Sequence, residues 1–103
     1  MPDAESLITA MRARAGSLRG LGYRVKFELS DTGEAILLDA TAGSVSVQAD
    51  DGDADAVLLL NSDDLQKLIA GRLSPMLAFS LGRLKVEGSK GVAMKLASLL
   101  DED

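Results

Sequence analysis

Leu7, Ile8, Met11, Ala15 and Leu18 return at helical spacing with Arg12, Arg14 and Arg19 among them, which predicts an amphipathic helix over residues 3–16. Gly16, Gly20 and Gly22 mark its exit. The period then changes. Tyr23, Val25, Phe27 and Leu29 alternate with Arg24, Lys26, Glu28 and Ser30, as in a strand with one dry face. Asp31-Thr32-Gly33 supplies a turn and residues 34–41 read as a second strand. Ala42-Gly43 then turns the chain into a third strand at 44–49, where Val45 and Val47 alternate with Ser46 and Gln48. These three strands form a meander. The acidic tract Asp50-Asp51-Gly52-Asp53-Ala54-Asp55 leads into Ala56-Val57-Leu58-Leu59-Leu60, apolar on both sides of the pleat and therefore expected inside the sheet.

Ser62-Asp63-Asp64 reads as a helix start, with the serine hydroxyl capping free amides and the carboxylates favouring the positive end of the dipole. Leu65, Leu68 and Ile69 are its buried stripe, and Gly71 ends it. Ser74-Pro75 opens a shorter helix, filled by Met76, Leu77, Ala78 and Phe79 and stopped by Gly82. Leu84 and Val86 alternate with Arg83, Lys85 and Glu87 as a fifth strand, closed by Gly88. From Ser89 the chain turns helical again. Val92, Leu96, Leu99 and Leu100 share a face there, and Met94 falls on roughly the opposite side. Asp101-Glu102-Asp103 oppose the negative end of that helix, where fraying is expected.

A chain of 103 residues is read as one domain, residues 1–103, in which any large cavity is made at the expense of packing. Its net charge of -5 and its three aromatic residues, Tyr23, Phe27 and Phe79, argue against a nucleic-acid partner. Cysteine and histidine are absent from the sequence, which removes the thiolate nucleophile, the imidazole base and the commonest zinc ligands together. No catalytic set, cofactor or metal site is therefore expected. Met1-Pro2-Asp3-Ala4-Glu5 lacks the basic start and apolar stretch of a signal peptide, and the longest apolar run, 56–60, is far short of the ~20 residues that span a bilayer. A cytoplasmic protein without stable membrane insertion is expected.

Several segments invite chemistry. Gly20-Leu21-Gly22-Tyr23-Arg24-Val25 begins like a dinucleotide fingerprint, but it lacks the third glycine and precedes a strand instead of following one. Asp51, Asp53 and Asp55 are spaced like the first ligands of a calcium loop, yet Ala56 and Ser62 occupy the positions that need glycine and glutamate. An acidic, solvated turn explains the tract. Gly88-Ser89-Lys90-Gly91 is either an ordinary turn or an anion contact in which Lys90 faces a carboxylate or thioester head. Met11, Met76 and Met94 are adaptable side chains that fill a core or line a cavity of variable contents.

Residues 68–88, Leu-Ile-Ala-Gly-Arg-Leu-Ser-Pro-Met-Leu-Ala-Phe-Ser-Leu-Gly-Arg-Leu-Lys-Val-Glu-Gly, resemble the central signature of the sterol carrier protein 2 family. Val92-Ala93-Met94-Lys95-Leu96 is similar to the family's last helix, and residues 55–64 to its fourth strand and the helix start after it. Upstream only the order of one helix and three strands agrees. The resemblance implies an α+β fold: a five-stranded, mainly antiparallel sheet, helices packed on one face, and an apolar cavity between the layers. It implies binding of a fatty acid, a fatty acyl-CoA, a sterol-like or an isoprenoid ligand, with Phe79, Leu84, Val92 and Leu96 bordering the cavity; Met76, as an adaptable side chain, and Lys90, as the anion contact, join them from the residue reading above. The peroxisomal tripeptide of many eukaryotic members is missing at residues 101–103.

The reading that follows is a small non-catalytic lipid carrier with a long-chain lipid as its partner, and an acidic balance that weakens attraction to anionic membranes. The alternative is an accessory subunit that presents a lipid-like substrate to a partner enzyme of fatty-acid or isoprenoid-quinone metabolism. Two structural expectations go with it. One sheet face, left bare by the helices, forms a homodimer, and the last helix acts as a lid over the cavity, with Gly88 and Gly91 freeing its entry.

Overall fold

The structure, a computed structural model, describes residues 3–101. The first amphipathic stretch folds as two helices, α1 (Ala4–Ala13) and α2 (Ala15–Leu18), where the apolar spacing predicts one. Asp3 caps α1 by accepting the Ser6 amide at 2.8 Å, and Leu7, Ile8 and Met11 are buried. The break falls at Arg14 (φ -104°, ψ 13°). Its guanidinium donates to the carbonyls of Ile69 at 2.8 Å and Leu100 at 3.2 Å. Both carbonyls lie near the C-terminal ends of later helices, where unpaired oxygens and the negative dipole end attract a cation.

The strands are β1 (Arg24–Leu29), β2 (Ala35–Asp39), β3 (Ser46–Ala49), β4 (Ala56–Leu60) and β5 (Lys85–Gly88), ordered β3-β2-β1-β4-β5. β1 to β3 form the expected antiparallel meander. β4 then returns to the other edge of β1 and runs parallel to it, with Phe27 opposite Leu58, and β5 adds antiparallel with Val86 opposite Leu58. The sheet is therefore mixed but mainly antiparallel, and β4 is interior to it. Pairing aligns Val47, Leu38, Val25 and Ala56 in one row and Ile36, Phe27, Leu58 and Val86 in the next, all on one face. This face is the core. α1 packs on β2 and β3, and α5 (Lys90–Asp101) packs on β4 and β5. α3 (Ser62–Ile69) rests on α1, and α4 (Pro75–Ser80) on α5.

The opposite face carries Lys26, Glu28, Leu37, Gln48, Val57, Leu59, Lys85 and Glu87. No helix covers it, as expected, but the acidic tract does so in part. Asp51 pairs with Lys26 at 2.9 Å, and Gly52 lies over Leu37, which is buried. Val57 and Leu59 are the remaining part-exposed apolar side chains of β4, and charged residues flank them. Val57 and Leu59, which motivated the homodimer, thus stay partly open on this face.

The cap of α3 is Asn61, whose side-chain oxygen accepts the Asp64 amide at 2.7 Å; the expectation of Ser62 is corrected. Ser62 is fully buried against the β1–β2 turn, where its hydroxyl and its amide both donate to the Asp31 carboxylate. A hydroxyl engaged there cannot also cap. Asp101 ends α5, while Glu102 and Asp103, on which fraying was expected, lie outside the described residues.

The hydroxyl and amide of Ser62 hold the Asp31 carboxyl below the usual carboxylate range against its partial desolvation, and Thr41 with Arg24 does the same for Asp39. A depressed folded-state pKa gives stability that is full above the unfolded value near 3.8 and is lost as pH falls through the lower folded value. The urea midpoint should therefore stay flat from pH 7 down to about 5 and drop below about 4. Asp31→Asn should lower it at neutral pH and flatten the acid limb. An unchanged acid limb in that variant would show that Asp31 contributes no pH-dependent stability.

Candidate ligand-binding site

A cavity of about 280 Å³ lies between the helical layer and the β4–β5 end of the sheet. Leu58, Leu84 and Val86 line its sheet side, Leu68 comes from α3, and Pro75, Met76 and Phe79 come from α4. α5 supplies Lys90, Ala93, Met94, Leu96, Ala97 and Leu100.

Local sequence explains the space. Ser74 accepts the Leu77 amide at 3.5 Å and Pro75 takes the first helical position, so α4 starts sharply; Gly82, with φ 73°, stops it after six residues. A helix this short sets few side chains into the core: Pro75 and Ala78 are buried while Met76, Leu77 and Phe79 stand exposed. On α5, Ala93 and Ala97 lie one turn apart and fill little of the gap beneath them. Arg83, just after α4, reaches the buried carboxylate of Asp64 on α3 at 3.4 Å and ties the two segments together.

Four of the apolar residues singled out from the sequence, Met76, Phe79, Leu84 and Leu96, are on this wall, and the Lys90 side chain joins them. Val92 is corrected: it is buried but off the wall. At ~100° per residue the wall positions of α5 span about 160° of arc, from Leu96 at one edge to Met94 at the other, and Val92 falls about 40° beyond Leu96. Met94, placed opposite the apolar face from its sequence position, therefore borders the cavity, whereas Met11 is a core residue. The signal that sequence reasoning passed over is the alanine pair.

Lys90 is the one charged residue among those lining the cavity, is exposed, and makes no ion pair with the described residues. The amides before it are not a free cradle. Ser89 donates its own amide to the Asp55 carbonyl at 2.9 Å, and its hydroxyl accepts the Val92 amide at 3.3 Å. Gly88-Ser89-Lys90-Gly91 is a strand-to-helix turn that leaves the ammonium at the cavity. The other motifs have structural employment. Leu21 is buried in the core as Gly22, with φ 73°, turns the chain into β1, and Asp55 accepts the Arg24 amide at 2.9 Å.

An apolar wall with one cation at its edge recognises a molecule by taking its hydrocarbon out of water. By fold and site the chain is a lipid-binding domain. It belongs to the SCP-2 sterol transfer family, which matches residues 4–101. Hydroxysteroid dehydrogenase-like protein 2 of Homo sapiens is 37% identical over 79 residues, covering 74% of this chain and 19% of that protein. Stomatin-like protein 1 of Homo sapiens is 37% identical over 106 aligned positions, covering 96% of this chain and 27% of the relative. The chain thus spans about a fifth to a quarter of the curated relatives it matches. The structure of sterol carrier protein 2 from Yarrowia lipolytica in its apo form superposes with a TM-score of 0.68 at 27% identity, covering 89% of this chain and 76% of that one. Among the described residues no helix is long and apolar enough to cross a membrane.

Proposed function

We propose that the protein is a non-catalytic carrier of one long-chain lipid. The hydrocarbon of a fatty acid, acyl thioester, isoprenoid or sterol-like ligand occupies the cavity, and its head lies at the mouth beside Lys90. The observation that supports this most is the wall itself, in which Lys90 is the one charged residue around an otherwise apolar space of about 280 Å³. Met76, Phe79, Leu84, Leu96 and the two alanines make the apolar contacts in this reading. α5 adapts to the ligand from its N-terminal end, because Arg14 holds the other end at the Leu100 carbonyl.

Titration with fatty acids of increasing length tests it. Each added methylene should tighten binding by roughly fourfold, from ~0.8 kcal/mol of burial, until the cavity is full. Lys90→Glu should weaken a fatty acid by about tenfold and leave the alcohol of equal length unaffected, as loss of a charge-assisted contact demands. Absence of binding at every length, with no added mass in native mass spectrometry of the purified protein, would sink the reading.

A second reading has its own support: in the curated relatives the matching region is a minor part of a longer chain, and one of them bears a dehydrogenase-like name. The domain then presents its lipid to a partner enzyme. Recovery of one stoichiometric enzyme in a pull-down favours it.

A further inference from the structure

Sulfur is confined to methionine in this chain, which has four methionines and no cysteine. Met1 lies outside the described residues, and the other three divide sharply by exposure. Met11 is 3% exposed in the core, whereas Met76 and Met94 are 50% and 56% exposed although both line the cavity. A side chain that borders a cavity and still meets solvent stands at its mouth. Met76 is on α4 and Met94 on α5, and these two helices pack on each other.

Core filling accounts for Met11 but not for this pair. An unbranched thioether suits an interior gap, yet about half of each of these side chains is open to water. Leucine would supply the same apolar contact to a ligand; what methionine adds is the sulfur lone pair. With cysteine, histidine and tryptophan all absent, the thioethers are the most oxidisable side chains of the chain. Two of them are placed where a small solute arriving from water and a lipid chain inside the cavity both reach them.

We propose that Met76 and Met94 form a peroxide-reactive site at the cavity mouth, and that their conversion to sulfoxides weakens the hold on a lipid chain. A peroxide ROOH gives its terminal oxygen to the sulfur lone pair: the O–O bond breaks, the S–O bond forms, and the proton of the transferred oxygen passes to the departing RO. Sulfur loses two electrons, and the peroxide leaves as ROH. The sulfoxide dipole then stands in a wall whose lining is apolar apart from Lys90. An alkyl chain laid against it strips water from a strong acceptor and returns no hydrogen bond. Two thiols, through a methionine sulfoxide reductase, restore the thioether and yield a disulfide and water. The weakening rests on the lipid-carrier reading; the reactivity does not.

Hydrogen peroxide applied to the ligand-free protein, with oxygen uptake mapped by peptide mass spectrometry, tests the site. Met76 and Met94 should be oxidised at least about tenfold faster than Met11. Saturating palmitate, which has no peroxide-reactive group, should slow the pair severalfold and leave Met11 unchanged. The Kd for palmitate should rise by about tenfold in the doubly oxidised protein and recover with the reductases and a thiol. In Met76→Leu with Met94→Leu, whatever its starting affinity, the same treatment should leave Kd unmoved. Equal oxidation rates for the pair and Met11 would overturn the site. A Kd that peroxide leaves unmoved in the wild type, or raises equally in the double variant, would overturn the weakening, as would a loss of binding that goes with loss of the circular dichroism spectrum. Fast oxidation of the pair in a protein that binds no palmitate before peroxide would confirm the site and reject the carrier reading, and the weakening with it.

Discussion

Ala97→Trp is expected to weaken fatty-acid binding by about a hundredfold while leaving the fold at least as stable as before. Ala97 lies near the middle of the α5 arc that faces the cavity, between the edges set by Leu96 and Met94. An indole added there enters open space. Excluding about four methylenes of ligand removes ~3 kcal/mol of burial, a factor of about a hundred in Kd. Dispersion attraction between the ring and the cavity wall offsets the strain of a larger side chain, so the urea midpoint should hold or rise. Leu96→Trp makes the contrast. Leu96 is 1% exposed and also borders a small second void against Met11, Leu18 and Phe27, so its enlargement pushes into packed core. That variant should lose ~1–3 kcal/mol of stability. Paired fatty-acid titration and urea unfolding decide the matter. If Ala97→Trp destabilises as much as Leu96→Trp and leaves binding intact, Ala97 faces a packed interior and the cavity is not the site.

The same pair of residues shows how far the chain can be read from its sequence. Helices and strands come in their true order because period and punctuation are local: alternation in Val25, Phe27 and Leu29, Pro75 at a helix start, Gly82 at its end. The family resemblance supplies the arrangement of sheet and cavity and carries over Phe79, Leu84, Val92 and Leu96, of which all but Val92 line the cavity. Apolar patterning, however, marks which face is buried and is silent about whether that face meets atoms or space. Val92 and Ala93 both count as buried positions, yet one packs in the core and the other borders the cavity.

Other differences arise from contacts far apart in sequence. The apolar spacing of Met11, Ala15 and Leu18 runs through the break at Arg14, which follows hydrogen bonds to residues 55 and 86 positions away. Ser62 and Asn61 are both good capping residues, and the choice between them depends on Asp31, a turn residue 31 positions upstream. The acidic tract reads as a solvated turn. Only the register of β1 and β2 brings Lys26 and Leu37 beneath it.

Gly88→Ala is expected to be among the most damaging single-methyl changes in the chain, and its effect should reach the ligand site. Gly88 has φ 78°, in the left-handed region that an L side chain adopts at a cost of ~1–2 kcal/mol. Conformation is only part of the difficulty. A Cβ there would stand 2.8 Å from the Asp55 carbonyl oxygen and 3.3 Å from the Ala56 Cα, both backbone atoms at the start of β4. A flexible side chain could swing aside, but this backbone is held by pairing to β1 on its other edge. The Ser89 amide also donates to that same Asp55 carbonyl, so displacing the strand disturbs the turn that carries Lys90 to the cavity. A total loss of about 3 kcal/mol or more is expected, with weakened fatty-acid binding in the protein that remains folded. Gly71→Ala is the control. Gly71 has φ 75° but open space around its missing Cβ, so it should show the conformational cost alone, about 1–2 kcal/mol. Urea unfolding of the two variants separates the contributions. Equal losses would mean that the β4 backbone yields to the methyl group, and that the close approach of Gly88 to β4 does not hold the α5 wall of the cavity in place.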